Sequence, residues 1–263
     1  MKLIGVVGGV GPEASNKFCE MLVKYKKKKK DQDNIPFLHY CNPQIPDRTE
    51  SILGIGEDPT EEIINTCTSL QGAGADFLVI PCNTAHHFLA EVQENIDIPI
   101  LDMTKVLVKY ILKDNFRLKK IGILATTGSI RAEIFQNYFN SIGIETVLPS
   151  EEDQEKIVMG AIYGSKGIKA GKKLMPKRLL TKAANKLVEN GAEAIVLGCT
   201  EIPLVLKNKD FDIKLYDPME IVSKEIIKCM EVDSEEIVTV KYVITNPPRE
   251  IPLSENKEVF MSS

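Results

Sequence analysis

The stretch GADFLVIPCNT, residues 74–84, decides the fold. Phe77 to Ile80 are apolar, Pro81 interrupts them, and Cys82, Asn83 and Thr84 follow. A short Leu/Val/Ile run bounded by turn residues is how a parallel strand covered on both faces reads. The pattern returns as GAEAIVLGCTE, residues 191–201, 117 positions later. Two more pairs keep the same order. IGVVGGVG from Ile4 matches IGILATTG from Ile121, again 117 apart, and DIPILDM from Asp97 matches DIKLYDP from Asp212, 115 apart. Three ordered coincidences at nearly constant spacing imply two related halves.

Each half reads strand, helix, strand, helix. Strands are expected near 3–8, 36–41, 77–81 and 98–101, then near 120–125, 144–148, 194–198 and 213–216. Helical windows lie at 12–25, 59–72 and 84–95. The alternation predicts an α/β fold of two pseudo-symmetric doubly wound parallel-sheet domains with an active-site cleft between them. Met103, Val106, Leu107, Tyr110 and Ile111 share one helical face, so 103–113 links the halves. A second helix starts after Asp217, with Pro218 at its first position, and packs back on the first half. The expected division is 1–102 plus 218–263 for the first domain and 103–217 for the second. In the tail, EIVTVKYVIT (236–245) reads as a strand and NPPREIP (246–252) as irregular. The run KYKKKKKDQD (24–33) reads as the solvated end of a helix and a loop.

The 263 residues are ample for a buried core, and 43% are apolar. Net charge is −4 and mixed, which suggests neither nucleic acid nor a membrane surface as partner. No apolar run approaches the roughly 20 residues that span a bilayer. The opening MKLIGVVGGVGPEAS reads as a first strand and turn rather than a leader. Six cysteines without any C-x-x-C pair argue against a disulfide scaffold or zinc site and fit a reducing cytoplasm. His86 and His87 are adjacent, so on a helix they diverge and make no metal site.

Cys82 and Cys199 each stand where a strand gives way to a helix, the place where open α/β sheets collect ligands. Two thiols facing one ligand from opposite sides can invert a stereocentre, one removing a proton and the other delivering one. A thiol with an ordinary pKa of about 8.5 can play either part. Inert core thiols are the ordinary reading of a single cysteine, and Cys19, Cys41, Cys67 and Cys229 are read so. Equivalent placement in a repeat argues against it for Cys82 and Cys199.

PCNTAH, GCTEIP, GVVGGVGPEAS and NPQIPDRT together resemble the aspartate/glutamate racemase family that works without pyridoxal phosphate, over roughly residues 1–230. NPQIPDRT points to its aspartate racemase branch. The resemblance implies Cys82 and Cys199 as the acid–base pair, no cofactor, no metal, an amino dicarboxylate substrate and a homodimer. Arg48, in a long loop at about 42–58, offers a planar fork for a carboxylate, against the alternative of a surface ion pair with Asp47. Thr126 and Thr127, ending a strand, suit a carboxylate or simple helix capping. Asn83, Thr84 and Thr200 flank the cysteines, and Asn42 is expected to line the same cleft. The family pattern places Lys169 among the ligands, with Lys166 as rival. Glu201, counted among the substrate-binding candidates, could accept a proton or hold Cys199 in place, or simply favour a helix start, and His86 reads as structural.

GVGPEA (9–14) also satisfies G-x-G-x-x-A after a strand, the dinucleotide-binding fingerprint of a nicotinamide enzyme. The acid needed at the end of the second strand is missing, since Asn42 stands there. A non-catalytic small-molecule receptor would share the architecture but give the thiols no role. Hydantoin racemase and maleate isomerase are related rivals that use similar cysteines.

Overall fold

A computed structural model describes residues 2–231. Strands β1 (Ile4–Gly8), β2 (Phe37–Cys41), β3 (Phe77–Val79) and β4 (Ile100–Leu101) form one sheet in the order β2-β1-β3-β4. Strands β5 (Lys120–Leu124), β6 (Glu145–Val147), β7 (Ala194–Leu197) and β8 (Lys214–Tyr216) form the other in the order β6-β5-β7-β8. Every pairing is parallel. All eight expected strands are present, and both halves are doubly wound.

The repeat extends to register. Ile4 pairs with Phe77 and Ile121 with Ala194, so both partners move by 117 (121 − 4 and 194 − 77). Leu78 pairs with Ile100 and Ile195 with Leu215, so here the second partner moves by 115 (215 − 100). The chain between β7 and β8 is thus two residues shorter without any slip in the sheet.

β1, β3, β4 and β7 are wholly buried, as their unbroken apolar composition requires, whereas the edge strand β2 keeps partial exposure. The helix Pro12–Tyr25 opens on proline, whose missing N–H would have had no partner there. It buries Phe18, Met21 and Leu22, each worth about 1.5–3 kcal/mol.

The chain passes between the halves on two capped helices. Asp102 accepts the N–H groups of Thr104 and Lys105 and starts the helix Met103–Asp114. Asp217 does the same for Met219 and Glu220 at the helix Pro218–Glu231. Met103, Met219, Val222 and Ile226 join the core of the first sheet, whereas Leu107, Ile111 and Ile221 join that of the second. None of the described helices is long and apolar enough to cross a membrane.

Two local expectations are corrected. The window 84–95 is a 3-10 helix, Thr84–Phe88, followed by an α-helix, Leu89–Glu94. His86 occupies its own turn: Nδ1 lies 2.9 Å from the Cys82 carbonyl, and Nε2 accepts the Met103 N–H at 3.0 Å. That fixes the neutral Nδ1–H tautomer. The loop 42–58 contains the short helix Arg48–Ile52, because Asp47 caps it through Thr49 and Glu50. The expected tail strand, 236–245, lies outside the described residues.

Candidate active site

Both glycines of the turn after β1 take positive φ, and each has a neighbour where a side chain would stand. Gly9 (φ 89°) lies against the Asn42 backbone, and Gly11 (φ 107°) against the Glu201 carboxylate. The glycines of the GVGPEA pattern therefore serve contacts within the chain.

β3 and β7 lead at their carboxyl ends to Cys82 and Cys199. Both thiols line one cleft between the two sheets, and both residues are almost wholly buried. The rest of the lining comes from both halves as well. Arg48, Asn83 and Thr84 stand on the first, and Thr126, Lys169, Thr200 and Glu201 on the second.

Arg48 is only 6% exposed and is not the surface partner of Asp47. Its Nη1 donates to the carbonyls of Ile45 (3.2 Å) and Pro46 (2.8 Å), and its Nε is buried with no hydrogen-bond partner. The guanidinium and the Cys82 thiol line the same cleft. Burial opposes its charge, yet Cys82 and Asp47 outweigh that and raise its pKa. Asn83 is 1% exposed, and neither its Oδ1 nor its Nδ2 has a partner. Buried unpaired amides and guanidinium nitrogens are costly, so such groups in a cleft mark places for a polar ligand.

Thr84 and Thr126 meet across the cleft at 3.0 Å, and Ser129 completes a buried hydroxyl cluster, 2.9 Å from Thr84. Thr126 also caps the helix Thr127–Arg131 through the Ser129 N–H. Thr49 sits directly over Gly128 of that helix, where a side chain would collide with it.

Cys199 Sγ donates to Glu201 Oε2 at 2.9 Å, and Lys169 Nζ stands 3.5 Å from Glu201 Oε1. Burial pushes the Cys199 thiol well above its ordinary value, and the Glu201 charge adds to this. For Lys169, burial works against the ammonium, but Glu201 and Cys199 more than offset it and its pKa is raised. Lys169 also lies 5.0 Å over the ring of Tyr163, and it is Lys169, not Lys166, that lines the cleft.

Two expected residues lie elsewhere. Asn42 donates to Glu62 (2.6 Å) and Thr66 (2.9 Å), which holds its amide against the helix Thr60–Gly72. Thr127 donates to Glu155 at 2.6 Å and is not among the residues that line the cleft. Sequence reasoning missed Val10 and Tyr163, which do line it. The Tyr163 hydroxyl donates to Asp47 at 3.0 Å and so ties the first half to the second. Its proximity to Lys169 in IYGSKGIKAG was the available signal.

Cys19 and Cys67 are buried, with thiols pushed up by burial to about 11 and about 12, whereas Cys41 is exposed. Among the described residues, no group of three or more His, Cys, Asp or Glu is placed to hold a metal ion.

Residues 7–226 match the family model for Asp/Glu/Hydantoin racemase. A broad specificity amino-acid racemase, RacX of Bacillus subtilis, is 24% identical over 227 residues, covering 86% of this chain and 96% of that one. The structure of an aspartate racemase from Picrophilus torridus superposes with a TM-score of 0.76 at 25% identity, covering 91% of this chain and 99% of its own. A glutamate racemase from Francisella tularensis, solved with D-glutamate, shares the fold alone: TM-score 0.62, 18% identity, 94% of this chain and 84% of that one. With the family model spanning most of its length, this chain belongs to the Asp/Glu/Hydantoin racemase family.

Proposed function

We propose that the protein inverts the Cα configuration of aspartate, with glutamate as the next candidate, by a two-thiol proton transfer that uses no cofactor. The observation that carries this reading is that Cys82 and Cys199, equivalent positions of the two halves, line a single cleft. One thiolate removes the Cα proton from one face of the substrate. The other thiol delivers its proton to the opposite face. The product is the mirror image, and the protonation states of the two sulfurs are exchanged. The reverse reaction starts from that exchanged state.

The surrounding groups suit a dicarboxylate. Arg48 and Lys169 supply two cations for two carboxylates. The unpaired Asn83 amide offers Oδ1 to an ammonium and Nδ2 to a carboxylate oxygen. Thr84, Thr126 and Thr200 add hydroxyls to the lining of the cleft. Pairing the α-carboxylate with fixed donors lowers the cost of the carbanion that forms as the proton leaves. Glu201 is engaged with Cys199 and Lys169, so it holds protein groups rather than substrate. The aspartate racemase from Picrophilus torridus supports the choice of aspartate.

The test is chiral chromatography after incubation with each enantiomer of aspartate, glutamate and alanine. The reading expects interconversion of aspartate fastest and alanine slowest. Equal turnover of alanine would reject the dicarboxylate assignment, and no interconversion of any of them would reject the racemase.

A further inference from the structure

The linking helix Met103–Asp114 begins, like any helix, with N–H groups that have no partner within it. Asp102 Oδ1 accepts those of Thr104 and Lys105. The N–H of Met103, a wholly buried residue, goes instead to His86 Nε2 at 3.0 Å. The other ring nitrogen, Nδ1, donates to the Cys82 carbonyl at 2.9 Å. One imidazole thus joins the residue that carries a cleft thiol to the first residue of the segment leading into the second half. The repeat shows what this histidine answers. His86 corresponds to Pro203 and Met103 to Pro218, at the two offsets already seen (203 − 86 and 218 − 103). Asp217 Oδ1 accepts the N–H groups of Met219 and Glu220, as Asp102 does for its own helix. Pro218 has no N–H, so that helix start needs no further acceptor, and Pro203 offers no side-chain one. Donor and acceptor are present together in the first half and missing together in the second.

We propose that His86 is a positioning residue that ties the Cys82 backbone to the start of the linking helix and so sets where the Cys82 thiol stands relative to the second half. Met103 packs in the core of the first sheet, and Leu107 and Ile111 of the same helix pack in that of the second, so the helix start is a reference point held by both halves. His86 is not among the residues that line the cleft, so it acts through Cys82 and not on the substrate. The catalytic consequence rests on the racemase reading, whereas the tether itself does not. Proton transfer between a thiol and Cα needs close approach, and a misplacement of about 1 Å can cost about 100-fold in rate.

The tether can be read without turnover. Long-range 1H–15N NMR of the full-length protein at neutral pH should show the His86 ring protonated at Nδ1 and bare at Nε2, the signal being assigned by its loss in His86→Gln. An Nε2–H tautomer or an imidazolium overturns the proposal. Turnover then tests the positioning. His86→Leu keeps apolar bulk and makes neither bond. Its kcat for aspartate should fall about 10- to 100-fold from both enantiomers, with KM within about twofold of wild type. The amide of His86→Gln carries one donor and one acceptor and should restore kcat to within about tenfold of wild type. Wild-type kcat in His86→Leu, a loss carried by KM alone, or a glutamine variant no better than the leucine one overturns the proposal. If far-UV circular dichroism shows that His86→Leu does not fold, the tautomer and the tenfold limit on His86→Gln decide. A protein with the Nδ1–H tautomer that racemises nothing rejects the proposed function and leaves the tether standing. An active racemase indifferent to His86→Leu rejects the positioning role and leaves the function standing.

Discussion

Replacing Arg48 by lysine keeps a positive charge in the cleft but removes the fork. The structure shows how the guanidinium divides its work. Nη1 is committed to the carbonyls of Ile45 and Pro46, which pin the turn before the helix Arg48–Ile52. Nε has no partner and is buried. The edge formed by Nε and Nη2 therefore remains for a carboxylate in a bidentate pair. An ammonium has three donors on one atom and cannot serve two carbonyls and a bidentate anion together. The loss is then about one charge-assisted hydrogen bond, roughly 1.5–3 kcal/mol, or about 10- to 150-fold in kcat/KM for aspartate. Chiral chromatography of initial rates from each enantiomer gives the number, and far-UV circular dichroism checks that the fold persists. Enantiomers have equal free energy, so kcat/KM must fall by the same factor from both sides. An Arg48→Lys protein within threefold of wild type would refute the assignment of the fork to substrate. A fall for alanine as large as for aspartate would put the fork on the α-carboxylate that both substrates share, and a fall for aspartate alone would put it on the side-chain carboxylate.

Other expectations follow from burial and backbone. His39, whose pKa burial depresses from 6.5, has a buried Nε2 without a partner. Its depressed pKa contributes stability that is present above about pH 6.5 and lost as pH falls through the folded value, because the unfolded chain then binds the extra proton. The urea midpoint should thus fall between pH 7.5 and 5.5, and fall less in His39→Gln. Phe135 is fully buried and lies over Gly198, the residue before Cys199. Phe135→Ala should cost about 3–5 kcal/mol in urea unfolding. Gly9→Ala would drive a methyl into the Asn42 backbone at positive φ, so thermal unfolding should show a loss of more than about 1–3 kcal/mol.

The architecture was legible because it rests on local, repeated signals. Short apolar strands such as Phe77–Val79 and Ala194–Leu197 carry their burial in their composition, and the 117-residue repeat supplied their partnership. The cysteines were legible for the same reason. What escaped depends on contacts between distant residues. Asn42 sits where a cleft residue should, but Glu62 and Thr66, 20 and 24 positions away, claim its amide. Thr127 is taken by Glu155 from a π-helical segment, Gln154–Met159, that no periodicity announced. Arg48 read as part of a loop because its helix depends on a single cap by Asp47, whose other oxygen accepts from Tyr163 in the opposite half. The pairing of Cys199 with Glu201 is not legible in GCTEIP, where a helix-start acid and a thiol partner look alike.

Deuterium incorporation in D2O bears most directly on the paired sulfurs. L- and D-aspartate are incubated separately with wild type, Cys82→Ala and Cys199→Ala, and Cα deuterium and configuration are read by mass spectrometry and chiral chromatography. In the wild type, each enantiomer should yield its mirror image carrying solvent deuterium, and each single replacement should abolish that conversion in both directions. Interconversion at the wild-type rate by either variant would contradict the account.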